Sequence, residues 1–352
     1  MSLQRYLTEA GSLTRTYLAT LGVGGWLKLG VVVLFLGGIG AGNLVSNVPA
    51  SPELLPEDGG PGAVEAIAAA VALGVAIYAI FGLLAAVLEF VFVDSLGSRR
   101  LPIRASFRAN LRPGVWLFAF RTAVWLATFA IAGAIGWLLT GGVTDPAAVG
   151  TLQWVAIGIV ALVAVVAATA VDTLTNGLVV PIMLQEDRGP VGGWRRLGDA
   201  MAGRWSGALA FLLVAWVVGI ALWLVLLGVG FVISIVGLLG FVFLASALTE
   251  LHAAFEPVVA AALLVGVLVY QYLVALVTAP VLSYVRYYGL LVLGDADPAL
   301  DLVSDRRPPG GGDSDDSAST AGDGTQSTAS DDPESTGGAD SPSDRAARSQ
   351  YI

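Results

Sequence analysis

Residues 207–248 read GALAFLLVAWVVGIALWLVLLGVGFVISIVGLLGFVFLASAL, 42 residues without one charged side chain. A helix that crosses a bilayer needs ~20 mostly apolar residues, so this stretch is long enough for two crossings. How it is counted decides the fold. Counted once, the chain has six spans and both ends lie on one side. Counted twice, it has seven spans and the ends part.

The charges settle the count. Five other stretches have spanning length: Trp26–Val45, Val64–Val93, Val115–Leu139, Trp154–Leu184 and Val258–Leu282. With a cytoplasmic N-terminus and one crossing in 207–248, the cytoplasmic side receives Arg5, Arg15 and Lys28. It also receives Arg99, Arg100, Arg104, Arg108 and Arg112, then Arg188, Arg195, Arg196 and Arg204, then Arg286, Arg306 and Arg307. The outer loops 46–63, 141–153 and 249–257 then hold no Lys or Arg, only acids such as Glu53, Asp145 and Glu250. That is the positive-inside pattern without exception. Two crossings would export Arg286 and the tail arginines. The sequence therefore predicts an all-α, polytopic transmembrane bundle of six spans, with N- and C-termini cytoplasmic. The surplus around Gly237–Gly240 is expected to be a bend, an outer-leaflet helix or a re-entrant piece. Tryptophans agree with these boundaries: Trp26, Trp116 and Trp205 inside, Trp137 and Trp154 outside.

Composition excludes a soluble globular enzyme. Of 352 residues, 56% are hydrophobic and 13% charged, against about 25% charged in ordinary soluble domains. Mean hydropathy is +0.79. The net charge of −9 belongs entirely to residues 295–352, which hold 13 acids and 4 arginines. Residues 1–294 balance at 14 basic and 14 acidic groups. We therefore divide the chain into a six-span domain, 1–294, with an N-terminal interfacial helix, and an acidic cytoplasmic tail, 295–352. The tail is too poor in large apolar side chains to offset its ordering entropy and is read as disordered. Lys28 is the only lysine among 18 basic residues. Asp-rich, Lys-poor composition suggests an extreme halophile. No cysteine is present, which excludes disulfides and thiolate chemistry. No cleavable signal peptide is expected, because the first apolar run begins near Trp26, after Arg5 and Arg15.

A weak repeat of about 90 residues runs through the spans. Tyr17, Ala19, Leu21, Gly24 and Trp26 align with Phe107, Ala109, Leu111, Gly114 and Trp116, and the next step falls on Leu197–Gly207. Each unit reads as an amphipathic stretch, an outward span, an outer loop and a returning span. Three such hairpin repeats make six spans. Between spans two and three, Arg100, Arg104, Arg108 and Arg112 recur every four residues, with Ile103, Phe107 and Leu111 beside them. On a helix starting near Pro102 this sets an arginine stripe next to an apolar one, the pattern of an interfacial helix with guanidinium groups at lipid phosphates. Leu3, Leu7, Ala10, Tyr17 and Leu21 suggest a similar N-terminal helix. Arg195, Arg196 and Arg204 complete the expected lipid-headgroup interface.

Charges inside the spans are costly and seldom idle. Glu89, Arg121, Asp172 and Asn176 are the intramembrane polar residues. Asp172 and Asn176 share one helix face. Depth favours Glu89 over Asp172 as the main partner of Arg121, with Asp172 bonded to Asn176 or nearby hydroxyls. No catalytic set, cofactor site or metal site is read. The only histidine, His252, lies in an outer loop between Glu250 and Glu256 and is taken as solvated.

Several blocks carry a resemblance: LEFVFV at 88–93, FAFR at 118–121, VVPIML at 179–184, GWRR at 193–196 and VRYYGLLVLGDADP at 285–298. In this order they resemble a family of uncharacterised multi-spanning membrane proteins of halophilic archaea, a domain of unknown function. That family is distantly similar to the six-span membrane-anchor domain of glycerophosphodiester phosphodiesterases. The resemblance implies six spans and a haloarchaeal cell membrane. It implies no catalytic residue, because the soluble phosphodiesterase domain is missing here.

The function the residues favour is a non-enzymatic membrane organiser that binds lipid or partner proteins. The alternative is a carrier or channel for a small solute or lipid. Expected partners are the bilayer and membrane or cytoplasmic proteins, with no nucleic acid. A water-filled cavity reaching Asp172 would favour the carrier, and a dry bundle the organiser.

Overall fold

Long apolar runs become helices here. The computed structural model describes residues 3–38, 61–98, 103–142, 148–251 and 256–303. Nine α-helices are found among them. They are α1 (Leu3–Val33), α2 (Pro61–Ser98), α3 (Ile103–Ala109), α4 (Leu111–Leu139) and α5 (Thr151–Leu174). A five-residue π-helical turn, Thr175–Val179, joins α5 to α6 (Val180–Glu186). Then follow α7 (Pro190–Ala200), α8 (Trp205–Leu251) and α9 (Glu256–Ala296). No strand occurs among the described residues.

Six helical stretches are long and apolar enough to cross a membrane: Gln4–Leu36, Val64–Ser98, Leu111–Leu139, Thr151–Glu186, Trp205–Ile233 and Pro257–Ala296. The expected bend near Gly237–Gly240 is absent, and α8 runs on as one helix of 47 residues. Its sequence offers no proline to stop it, and scattered glycines do not outweigh so many leucines and valines. At 1.5 Å per residue α8 is ~70 Å long, more than twice the ~30 Å of a hydrocarbon core.

The three units of the repeat break at corresponding places. In α1 the break is Gly22, at φ 60°, a left-handed conformation that glycine adopts without strain. In the second unit Asn110 separates α3 from α4, its side-chain amide donating to the Ser106 carbonyl at 2.8 Å. In the third, residues 201–204 turn between α7 and α8, with Gly203 at φ 77°. After each break one long helix is followed by a second.

The core lies at one end, where the returning helices α2, α5–α6 and α9 come together. It is built from Phe90, Phe92, Leu178, Ile182, Tyr287, Tyr288 and their neighbours. Pro181 has no N–H to give the Gly177 carbonyl, which favours the π-helical turn. That carbonyl instead abuts α9: a Cβ on Gly289 would sit 2.9 Å from it. This is the end that carries α3 and α7, and hence the exposed arginines. Towards the opposite end the helices present valine, leucine and isoleucine outward.

Two expectations need correction. The N-terminal helix is not only interfacial. Ala10, Leu13 and Tyr17 are buried, and α1 packs along α9 through the Tyr6–Tyr288 and Tyr17–Tyr287 ring pairs. The expected boundary at 294/295 falls inside packed chain. Helix α9 ends at Ala296, and a 3₁₀ turn, Pro298–Leu300, follows, burying Leu300 and Val303. Residues 304–352, the rest of the acidic segment, lie outside the described residues, as do Arg100 and His252.

Candidate functional site

Two groups of polar side chains stand out against this apolar background. The first lies within the spans. The Arg121 guanidinium on α4 binds Asp172 on α5 side-on, Nε donating to Oδ1 at 2.7 Å and Nη2 to Oδ2 at 3.1 Å. The Asn176 amide donates to the same Asp172 Oδ2 at 3.0 Å. Thr175, one residue earlier in the π-helical turn, accepts from the Trp194 indole of α7 at 3.2 Å. These bonds tie α4, α5 and α7 together. The Arg121 and Asp172 side chains keep 23% and 30% of their surface exposed, so this pair sits at the flank of the bundle.

Glu89 does not pair with Arg121, contrary to expectation. Its Oε1 accepts from Nη2 of Arg286, which comes from α9. Both side chains are buried, at 3% and 8% exposure. The physical reason is helix direction. Helices α2 and α4 do pack as neighbours, with Gly82 against Phe118 and Gly114 against Val87. The face of α4 that meets α2 carries Phe118 and Thr122, the latter hydrogen-bonded to Tyr78. Arg121 lies on another face and meets α5. Arg286 escaped notice because the sixth span was ended at Leu282, whereas α9 continues about four turns further, to Ala296. The signal was present: Val285–Leu293 is nearly all apolar or aromatic apart from that arginine.

Beside the Arg121–Asp172 pair, a shallow dent lined by Phe120, Val124, Trp125, Val171 and Thr175 has no room for a water molecule. Two atoms of the polar set are buried without a hydrogen-bond partner, Arg286 Nε and Asn176 Oδ1.

The second group is the arginine-rich end. Arg104, Arg108 and Arg112 are exposed, and none forms an ion pair among the described residues. The stripe is not one continuous helix, since the break at Asn110 puts Arg112 and Leu111 on α4 and leaves Leu111 exposed. Ile103 and Phe107 do pack toward the core, and Ser106 ties α3 to α2 by donating to Asp94 at 2.7 Å. Arg195 is exposed on α7 and forms no ion pair among the described residues. Its neighbour Arg196 is held by two carboxylates. Nε donates to Glu186 at 2.9 Å, and Nη2 binds Asp297. The bond from Glu186, then that from Asp297, holds the guanidinium above its usual range, and Arg196 in turn holds the Asp297 carboxyl below its own. Arg204 is exposed and donates to the Asp295 backbone carbonyl at 3.1 Å.

A hollow of about 400 Å³ opens at this end between α4 and α7. Arg112, Trp116, Arg188 and the N-terminus of α7 at Gly189–Gly192 line it. Arg188 also pairs with Glu186 at 2.7 Å.

The fold and these sites define a class: an all-α, multi-pass membrane bundle of six spans, with ion pairs between its helices and a cationic end. Within that class the chain belongs to a family of unknown function, DUF7544, whose model matches residues 1–303. No curated protein and no solved structure matches the chain.

Proposed function

We propose that this protein is a non-enzymatic organiser of the cell membrane that gathers anionic lipid headgroups at its cytoplasmic, arginine-rich end. One observation carries the reading. Arg104, Arg108, Arg112 and Arg195 stay exposed and unpaired at one end, while Arg121, Arg196 and Arg286 are all bound to carboxylates. Guanidinium groups held at headgroup depth attract phosphates, each contributing about 1 kcal/mol at an anionic surface. The resemblance to haloarchaeal membrane proteins, and the distant one to a phosphodiesterase anchor domain, support a supporting role in an archaeal cell membrane rather than catalysis. Against a carrier stands the lack of water-sized space beside Arg121 and Asp172.

The test is the lipid retained by purified protein, counted by mass spectrometry. The triple change Arg104→Gln, Arg108→Gln, Arg112→Gln should lower the anionic lipid per chain, and unchanged retention would overturn the reading. The orientation has its own test. Cysteines introduced at Ser51, Thr144 and Ala253 should react with an impermeant thiol reagent on intact cells. One at Ser319 should not, and its labelling would sink the six-span count.

A further inference from the structure

We infer that a hollow beside Tyr288 is a saturable site for a phosphate-bearing lipid headgroup, an inference that rests on the lipid-organiser reading and gives it one defined site. The hollow measures about 300 Å³ and lies where α1, α8 and α9 meet at the arginine-rich end. Its polar lining is Tyr6, Arg204, Ser206, Tyr288 and Asp295.

The first observation is Tyr288 itself. It is 0% exposed, and its hydroxyl has no hydrogen-bond partner. Buried hydroxyls are nearly always bonded, because leaving one without a partner is costly. The ring cannot easily swing away. Tyr6 meets it edge-on at 6.0 Å between centroids, and Phe211 stacks on it at 6.1 Å. Tyr288 lines the hollow, and its hydroxyl is a donor held in place without a partner.

The second observation is the charge around it. Among the described residues the Arg204 side chain has no carboxylate partner and donates to a backbone carbonyl. It immediately precedes α8, whose first amides, at Trp205 and Ser206, have no carbonyl of their own helix to bind. Such a helix start favours an anion. A guanidinium, the Tyr288 hydroxyl and a helix N-terminus together suit a phosphate oxygen. Asp295 refines the choice. Its Oδ2 accepts from Tyr6 at 2.7 Å, and its negative charge disfavours a free phosphate dianion. It suits instead a phosphodiester whose far end carries a hydroxyl or amine donor.

The third observation concerns the tail of such a molecule. Val292 lines the hollow, and Leu209 and Leu213 lie exposed along the next turns of α8. An acyl chain leaving the hollow has an apolar track to follow into the bilayer.

The test uses the full-length protein in an uncharged detergent and follows its thermal unfolding. Dihexanoyl phosphatidylglycerol should raise the midpoint along a saturating curve, and inorganic phosphate should not move it. R204Q and Y288F should each weaken the apparent Kd about tenfold, the loss expected for one charge-assisted hydrogen bond. Y288F keeps the ring between Tyr6 and Phe211, so its fold is the safer of the two. A curve unchanged in both variants would overturn the site. An equal shift with inorganic phosphate would overturn the lipid as its ligand. The triple arginine change should leave this curve intact while lowering bulk lipid. Failure of the broader reading therefore appears in the triple variant and failure of the site in R204Q and Y288F.

Discussion

The two ends of the same helices behave differently. In α2, Ala86–Val93 is buried, whereas Val64, Val71 and Val75 are exposed. In α9, Tyr287–Leu293 is buried, whereas Val258, Leu264 and Val269 are exposed. Both ends are apolar, so apolarity does not choose between them. The packed end has the buried aromatics, most of the closely approached glycines and the charged pair, whereas Trp137, Phe231 and Phe243 lie exposed elsewhere. The other end has valine, leucine and alanine in near-uniform supply. In a bilayer, lipid tails solvate such faces as well as another helix would. Association therefore falls to close backbone approach and polar bonds.

The Glu89–Arg286 pair breaks this comparison most sharply. Arg286→Leu or Glu89→Leu leaves one buried charge without its partner and should cost about 3–5 kcal/mol in detergent unfolding. The double change should cost less than either single one. Additive losses would show that the two groups act separately.

Glycines sharpen the comparison. A Cβ at Gly289 would sit 2.9 Å from the Gly177 carbonyl oxygen and 3.0 Å from the Phe211 ring. Gly289→Ala should destabilise by roughly 1–3 kcal/mol through overpacking. Gly219 and Gly266 have nothing within 4 Å. Alanine at either should be neutral or stabilise by about 0.4–1 kcal/mol. Equal losses at both ends would remove the distinction between a packed and an open half.

The flank pair comes next. A double-mutant cycle on Arg121→Leu and Asp172→Leu should give a coupling of about 1 kcal/mol, in the range of polar bonds between membrane helices. The same cycle with Glu89 in place of Asp172 should give less than half of that.

The smallest effect is one of pH. Arg196 holds the Asp297 carboxyl below its ordinary value of 3.8. A group whose folded value is depressed binds its proton more readily when unfolded. Its contribution is therefore complete above 3.8 and is lost as pH falls through the lower, folded value. Asp297→Asn and Arg196→Gln should each flatten this acid limb of stability, and an unaltered limb in both would show that the pair contributes nothing to it.

Much of this was legible. The one-sided arginines allowed a single crossing for 207–248, and α8 is a single helix. The repeat was visible in a few aligned residues and returns as breaks at Gly22, Asn110 and 201–204. What escaped was direction and depth. Spacing put Asp172 and Asn176 on one face, and they bond there, but no pattern in one strand of sequence told which face of α4 would meet α2. Arg286 was counted as a charge beyond the spans because the sixth span was ended at Leu282. Asp295 and Asp297 were assigned to the tail by their charge, yet Leu300 and Val303 beside them are buried. Net charge had hidden a short apolar anchor.

The Glu89–Arg286 bond also has a history in time. The two residues lie 197 positions apart, which a ribosome covers in ~10–40 s at ~5–20 residues per second. Throughout that interval the second span exists and its native counter-ion does not. A carboxylate without a partner is too costly to rest in hydrocarbon. The nascent second span must therefore spend those seconds carrying a proton or sheltered by the insertion machinery, and the sixth span, arriving last, releases it.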